Sequence, residues 1–145
     1  MGLFSVGCSL ENQQDRTRSV RVSKVVVDTG SELTWINSKH LEKIGVEPEK
    51  KDRRFVMANG QEITRSIGFA IIRVGKEFTT DEVVFAQRGD LQLLGARTLE
   101  GLNLRVDARN KKLVAAGPFV AAGNIEVGGS NGTVTLGPAA FVTRR

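Results

Sequence analysis

Cysteine occurs once in 145 residues, at Cys8, so no disulfide can close within the chain. The opening residues show no charged-then-apolar leader, and a reducing, cytoplasmic setting is the expectation. Tyrosine is absent, and tryptophan and histidine occur once each, as Trp35 and His40. With no His-x-x-x-His and no Cys-x-x-Cys spacing, a zinc site has no ligand set, and neither metal nor organic cofactor is expected. Cys8 and His40 are too far apart to argue for a thiol-protease pair, Ser31 stands in no Gly-x-Ser-x-Gly elbow, and no phosphate loop ending in Gly-Lys-Ser/Thr is present. No apolar run approaches the roughly 18 residues of a membrane span. Met1-Gly2 begins like a myristoylation signal, but Val6 stands where a hydroxyl residue is required, so no membrane partner is expected.

Acidic residues number 16 against 21 lysines and arginines, for a net charge of +5 and a pI near 9.8. The excess is dispersed over Arg16 to Lys24, Lys50 to Arg54 and Arg109 to Lys112, with no aromatic side chains interleaved. Stacking platforms for nucleic acid need such interleaving, so these runs read as solvated faces and no nucleic-acid partner is expected. At 40% hydrophobic content the chain can bury the core of one domain.

Short alternating or β-branched runs separated by turn residues fill that length. Phe4, Val6, Cys8 and Leu10 alternate with small or polar residues, Glu11 to Ser19 is polar, and Val20 to Val27 is a second strand. Ser38 to Ile44 reads as a short helix stopped by Gly45, with Pro48 preventing its resumption. Arg53 to Ala58 and Gln61 to Val74 flank Asn59-Gly60, a strong hairpin signal. Phe78 to Phe85 and Leu91 to Leu94 come next as strands, then a helix-compatible stretch from Ala96 to Leu102 and a hairpin from Leu104 to Val114. Many short strands with one or two small helices indicate an all-β, closed fold. Beyond Ala122 the composition turns glycine-rich. Ile125, Val127, Val134 and Leu136 around Gly128 to Gly132 allow one more hairpin, and the division is residues 1–122 as a domain and 123–145 as a tail.

The most informative segment is Val25-Val26-Val27-Asp28-Thr29-Gly30-Ser31. A β-branched strand runs into a carboxylate, a hydroxyl and a glycine that permits a tight turn, which is how a rigid element would present a catalytic acid. The tripeptide alone is equally an ordinary strand-ending turn. Together with Thr34-Trp35-Ile36 and the later Leu93-Leu94-Gly95, however, it resembles the retroviral-type (retropepsin-like) aspartic proteases over about residues 3 to 119. The resemblance implies a retropepsin-like closed β barrel, homodimeric because one Asp-Thr-Gly supplies one carboxylate and the chemistry needs two. It implies an endopeptidase acting on an extended polypeptide through water held between two Asp28 side chains. A catalytically silent dimerising or peptide-binding module is the alternative.

The same resemblance implies the site roles. Thr29 would bond across the dimer axis, or else satisfy its own turn, and the Gly30 backbone would contact substrate. Apart from the resemblance, Ser31 beside the site can donate to the Asp28 carboxylate, and it is counted with the substrate-binding residues. Ala58, Asn59 and Gly60 fall where the family has its flap, though a plain surface hairpin fits the sequence too. Glu32 would pair with Arg97, or remain an unpaired surface acid. Leu94 and Gly95 would pass behind the catalytic loop, and Trp35 would be a core or pocket-wall aromatic.

Overall fold

The computed structural model describes residues 3–122, 126–128 and 133–135. Its first hairpin pairs β1 (Ser5–Glu11) with β2 (Ser19–Val27) antiparallel, and Val22, Val25 and Val27 of β2 point into the core. The chain then makes the Asp28 loop, β3 (Thr34–Asn37) and helix α1 (Ser38–Lys43). Asn37 caps α1, its side chain accepting from Lys39 N, and Gly45 at φ 76° lets the chain reverse where a side-chain-bearing residue would be strained. β4 (Lys50–Val56) and β5 (Glu62–Val74) form the long hairpin, and β6 (Glu77–Ala86) returns along β5. β7 (Leu93–Leu94), helix α2 (Ala96–Gly101) and the hairpin of β8 (Leu104–Asp107) and β9 (Lys112–Ala115) come next.

Seven strands make one sheet in the order β1-β2-β7-β3-β6-β5-β4, and β1 pairs in addition with β5 through Ser9–Arg73, Leu10–Ile72 and Glu11–Ile71. The 13-residue β5 therefore serves β1 at one end and β4 at the other. Two apolar clusters result. The larger is built from Leu10, Val25, Ile36, Leu41, Ile72, Val83 and Leu94 among others, and the smaller from Leu33, Trp35, Ile67, Val84 and Ala86, with Phe55, Met57, Ile63 and Leu93 packed against it. Val83 and Phe85 serve the first cluster while Val84 and Ala86 serve the second, as alternate residues of a strand must.

Among the described residues, an all-β architecture with two short helices agrees with the sequence reading. Several bounds differ. Thr34–Asn37 is a strand that the sequence did not announce, β4 begins at Lys50, and of Leu91 to Leu94 only the last two residues pair. In the glycine-rich tail, β10 (Glu126–Gly128) pairs antiparallel with β11 (Thr133–Thr135), with Val127 opposite Val134. Ile125, Leu136 and the turn between the two strands lie outside the described residues.

Candidate active site

β2 carries Asp28 at its end, and the backbone there is tied on both sides. Val27 N donates to Phe4 O at 2.9 Å, Val26 N to Gln92 O at 2.9 Å, and Asp28 N to Leu94 O at 3.0 Å. Because Val25, Val27 and Leu94 are buried, these bonds are shielded from water and the acid's Cα has little freedom. Beyond it the chain turns at once: Ser31 N donates to Asp28 O at 3.1 Å, and Gly30 N to Asp28 Oδ1 at 2.9 Å. A Cβ on Gly30 would sit 3.2 Å from that same oxygen. One carboxylate oxygen is thus oriented by a backbone N–H, on a half-buried side chain flanked by exposed Thr29 and Gly30.

The Ser31 hydroxyl donates to Leu33 O at 2.7 Å. Its single proton is committed to the turn, so the expected bond from Ser31 to the Asp28 carboxylate is replaced by one that shapes the loop.

Leu94 and Gly95 run directly behind this loop. A Cβ on Gly95 would collide with the carbonyl of Leu33, its carbon 2.6 Å away, and would lie 2.9 Å from Ser31 O, so the glycine is required for space. The first N–H groups of α2 are satisfied by the loop itself, Ala96 N by Ser31 O at 2.8 Å and Arg97 N by Glu32 O at 3.1 Å. Helix α2 and the Asp28 loop therefore brace each other.

Beneath them runs a polar relay invisible in the sequence. Gly95 N donates to Thr34 Oγ1 at 3.0 Å, Thr34 Oγ1 and Thr98 Oγ1 are 2.6 Å apart, and Thr98 Oγ1 donates to Asp81 Oδ2 at 2.9 Å. With Thr98 donating to the carboxylate, Thr34 must donate to Thr98. Both threonines are fully buried, and they join β3, β7, α2 and β6 at one point.

Arg97 Nη2 lies 3.7 Å from Glu32 Oε2, so the two residues named from the sequence do meet, on an exposed surface. The closer partner of Arg97 is Glu82, at 3.1 Å, which also contacts Lys50 of β4.

The hairpin tip is a tight turn over Met57–Gln61. Gly60 N donates to Met57 O and Met57 N to Gln61 O, both at 2.8 Å, Gln61 N donates to Asn59 Oδ1 at 2.9 Å, and Gly60 takes φ 86°. Ala58, Asn59 and Gly60 are exposed. Below the tip, Phe55, Met57 and Ile63 pack on the Leu33–Trp35 cluster, with the Trp35 and Phe55 rings edge to face at 5.0 Å. Trp35 is a wall beneath the hairpin, and through it the hairpin is attached to the strand that succeeds the Asp28 loop.

No group of three or more His, Cys, Asp or Glu side chains among the described residues is arranged to hold a metal ion, and no described helix is long and apolar enough to cross a membrane. A family model described as aspartyl protease matches residues 16–141, spanning the Asp28 loop, the hairpin and the Leu94–Arg97 segment and running on past Ala122. No curated protein matches the chain.

Proposed function

The chain belongs to the retropepsin-like aspartyl proteases, and on that premise we propose that it is an endopeptidase whose water nucleophile is held between two Asp28 side chains of a homodimer. The observation that carries this reading is the fixed carboxylate: Asp28 sits at the end of a buried strand with Oδ1 oriented by Gly30 N–H at 2.9 Å. Half a dyad is all that one chain offers, and the rim around it suits a second copy. Exposed Leu3 adjoins Phe4, which bonds Val27, and exposed Leu91 adjoins Gln92, which bonds Val26. Burying that apolar rim favours association. The return of the sheet from β5 to β1 supports a closed barrel.

Two carboxylates in contact share one proton, since both cannot be ionised. The ionised Asp28 removes a proton from the water as oxygen attacks the scissile carbonyl, and the protonated Asp28 donates to the carbonyl oxygen. Collapse of the tetrahedral intermediate breaks the C–N bond and returns a proton to the leaving amine. Thr29 would hold the partner's loop across the axis, the Gly30 backbone and Ser31 would line the bound strand, and Ala58, Asn59 and Gly60 would cover it. Glu32 with Arg97, and Leu94 with Gly95, keep the loop in place. Burial pushes the Cys8 thiol up to about 11 despite the nearby Arg21 charge, leaving it protonated and outside the chemistry.

The test is cleavage of an unfolded protein at about pH 4 to 6, with and without a pepstatin-type inhibitor, beside Asp28→Asn. Wild type is expected to cleave in an inhibitor-sensitive manner and the variant to fall by about 10³-fold or more while still dimerising. Equal inertness of two dimeric proteins overturns the enzymatic reading in favour of a silent peptide-binding module.

A further inference from the structure

We propose that Arg65 and Asp90 form a clasp that sets the height of the Met57–Gln61 turn over the Asp28 loop, which makes both of them positioning residues for peptide hydrolysis. The catalytic half of this inference rests on the proteolytic reading above; the mechanical half does not. Arg65 lies on β5 between Ile63 and Ile67, and alternate residues of a strand share a face. Ile63 and Ile67 pack on the Trp35 cluster, so Arg65 faces the same side of the hairpin as they do. Its guanidinium grips Asp90 with two bonds, Nε to Oδ2 at 2.7 Å and Nη2 to Oδ1 at 2.9 Å, while Nη1 donates to Thr64 O at 2.7 Å. Asp90 Oδ2 accepts in addition from Gln87 N at 2.8 Å, and Asp90 N donates to Gln87 O at 2.9 Å. Both carboxylate oxygens are engaged, and the side chains are only 19% and 11% exposed.

The stretch of chain just beyond Asp90 connects the clasp to the site. Gln92 O accepts from Val26 N, Gln92 Oε1 accepts from Asn37 N at 3.0 Å, Leu93 joins the Trp35 cluster, and Leu94 O accepts from Asp28 N. The short run from Asp90 to Leu94 thus holds the hairpin at one end and the catalytic acid at the other. The hairpin's apolar attachment is non-directional and lets strands slide, whereas a bidentate fork fixes angle and distance together. Nearer the tip, Arg54 and Glu62 stand 3.8 Å apart and open to water, and can fix nothing comparable. Asp90 also offsets a repulsion, because β4 places Arg53 directly opposite Arg65.

The experiment compares wild type with Arg65→Lys, which keeps the charge and loses the fork, and with Asp90→Asn. Hydrogen-exchange protection of the amides in residues 57–63 is expected to drop about tenfold in both variants, with the β8–β9 amides unchanged. KM for an extended peptide is expected to rise about three- to tenfold with kcat held within about twofold, the signature of lost binding and not of lost chemistry. Unchanged protection of the hairpin, or an equal loss throughout the molecule, overturns the clasp. Altered protection with unaltered KM overturns its positioning role. A wild type that cleaves nothing overturns the proteolytic reading, and the exchange data still decide whether the clasp holds the hairpin.

Discussion

The Asp28 loop and the Asn59 turn begin from the same local chemistry. In each, an Asp or Asn side-chain oxygen accepts from the N–H two residues on at 2.9 Å, and in each a glycine comes within the next two residues. Their surroundings separate them. Asp28 is backed by β7, braced by the first N–H groups of α2 and underlain by the Thr34–Thr98 relay, while Ala58, Asn59 and Gly60 meet solvent and are held only from below. Rigidity here is a property of what lies behind a turn, and on the proteolytic reading the backed turn would hold the acid and the exposed one would cover the substrate.

The contrast breaks most severely at Gly95. Any side chain there meets the Leu33 carbonyl, which cannot retreat without moving the Asp28 loop, so Gly95→Ala is expected to cost about 3 kcal/mol and to abolish cleavage. Urea unfolding and a peptide assay read both effects, and a variant as stable and active as wild type would show that the wall is not a wall. Next in size is Thr34→Val, which leaves the Gly95 N–H buried without an acceptor and is expected to cost about 2 kcal/mol. Thr34→Ser keeps the hydroxyl and should recover most of the loss. At the exposed turn, Gly60→Ala meets no atom within 4 Å and suffers only from φ 86°, for about 1 kcal/mol. Its effect should appear in KM, with the melting temperature lowered by only about 3 °C.

The same contrast explains what the sequence disclosed. Features written in neighbouring residues were legible: Val25-Val26-Val27 leading to Asp28, the Asn59-Gly60 turn, the Gly45 stop of α1, the Leu94-Gly95 approach to a short helix. Features written in residues far apart were not. Thr34 and Thr98 are 64 positions apart and Arg65 and Asp90 are 25 apart, and nothing marks these among the other threonines or among 21 basic residues. β3 escaped because it pairs on both sides, with β6 and β7, and Thr34, Trp35 and Ile36 are all buried, so it lacks the alternation that betrays a half-exposed strand. The partner of the Ser31 hydroxyl was misread for a related reason: it has two acceptors within reach in sequence, the carboxylate before it and the Leu33 carbonyl after it, and only the path of the loop chooses.

The smallest expected effect, and the finest test of the comparison, is the pH dependence of the clasp. The Arg65 guanidinium bonded to Asp90, aided by Gln87 N–H, holds that carboxyl below the usual aspartate range against the opposing effect of burial, and Asp90 in turn raises Arg65, which stays charged throughout. A lowered folded-state value means that the pair stabilises fully above the unfolded aspartate value of about 3.9, and that this contribution is lost as pH falls through Asp90's lower folded value. The stability difference between wild type and Asp90→Asn, about 1 kcal/mol, should therefore be flat from about pH 7 to 5 and shrink only in stronger acid. Urea unfolding at a series of pH values measures it. The assay window of about pH 4 to 6 lies above that loss, so the acid limb of the activity profile should be the same in both proteins. If Asp90→Asn moves that limb, the hairpin's hold and the dyad's protonation are coupled, and the fixed and the movable turn cannot be treated as separate devices.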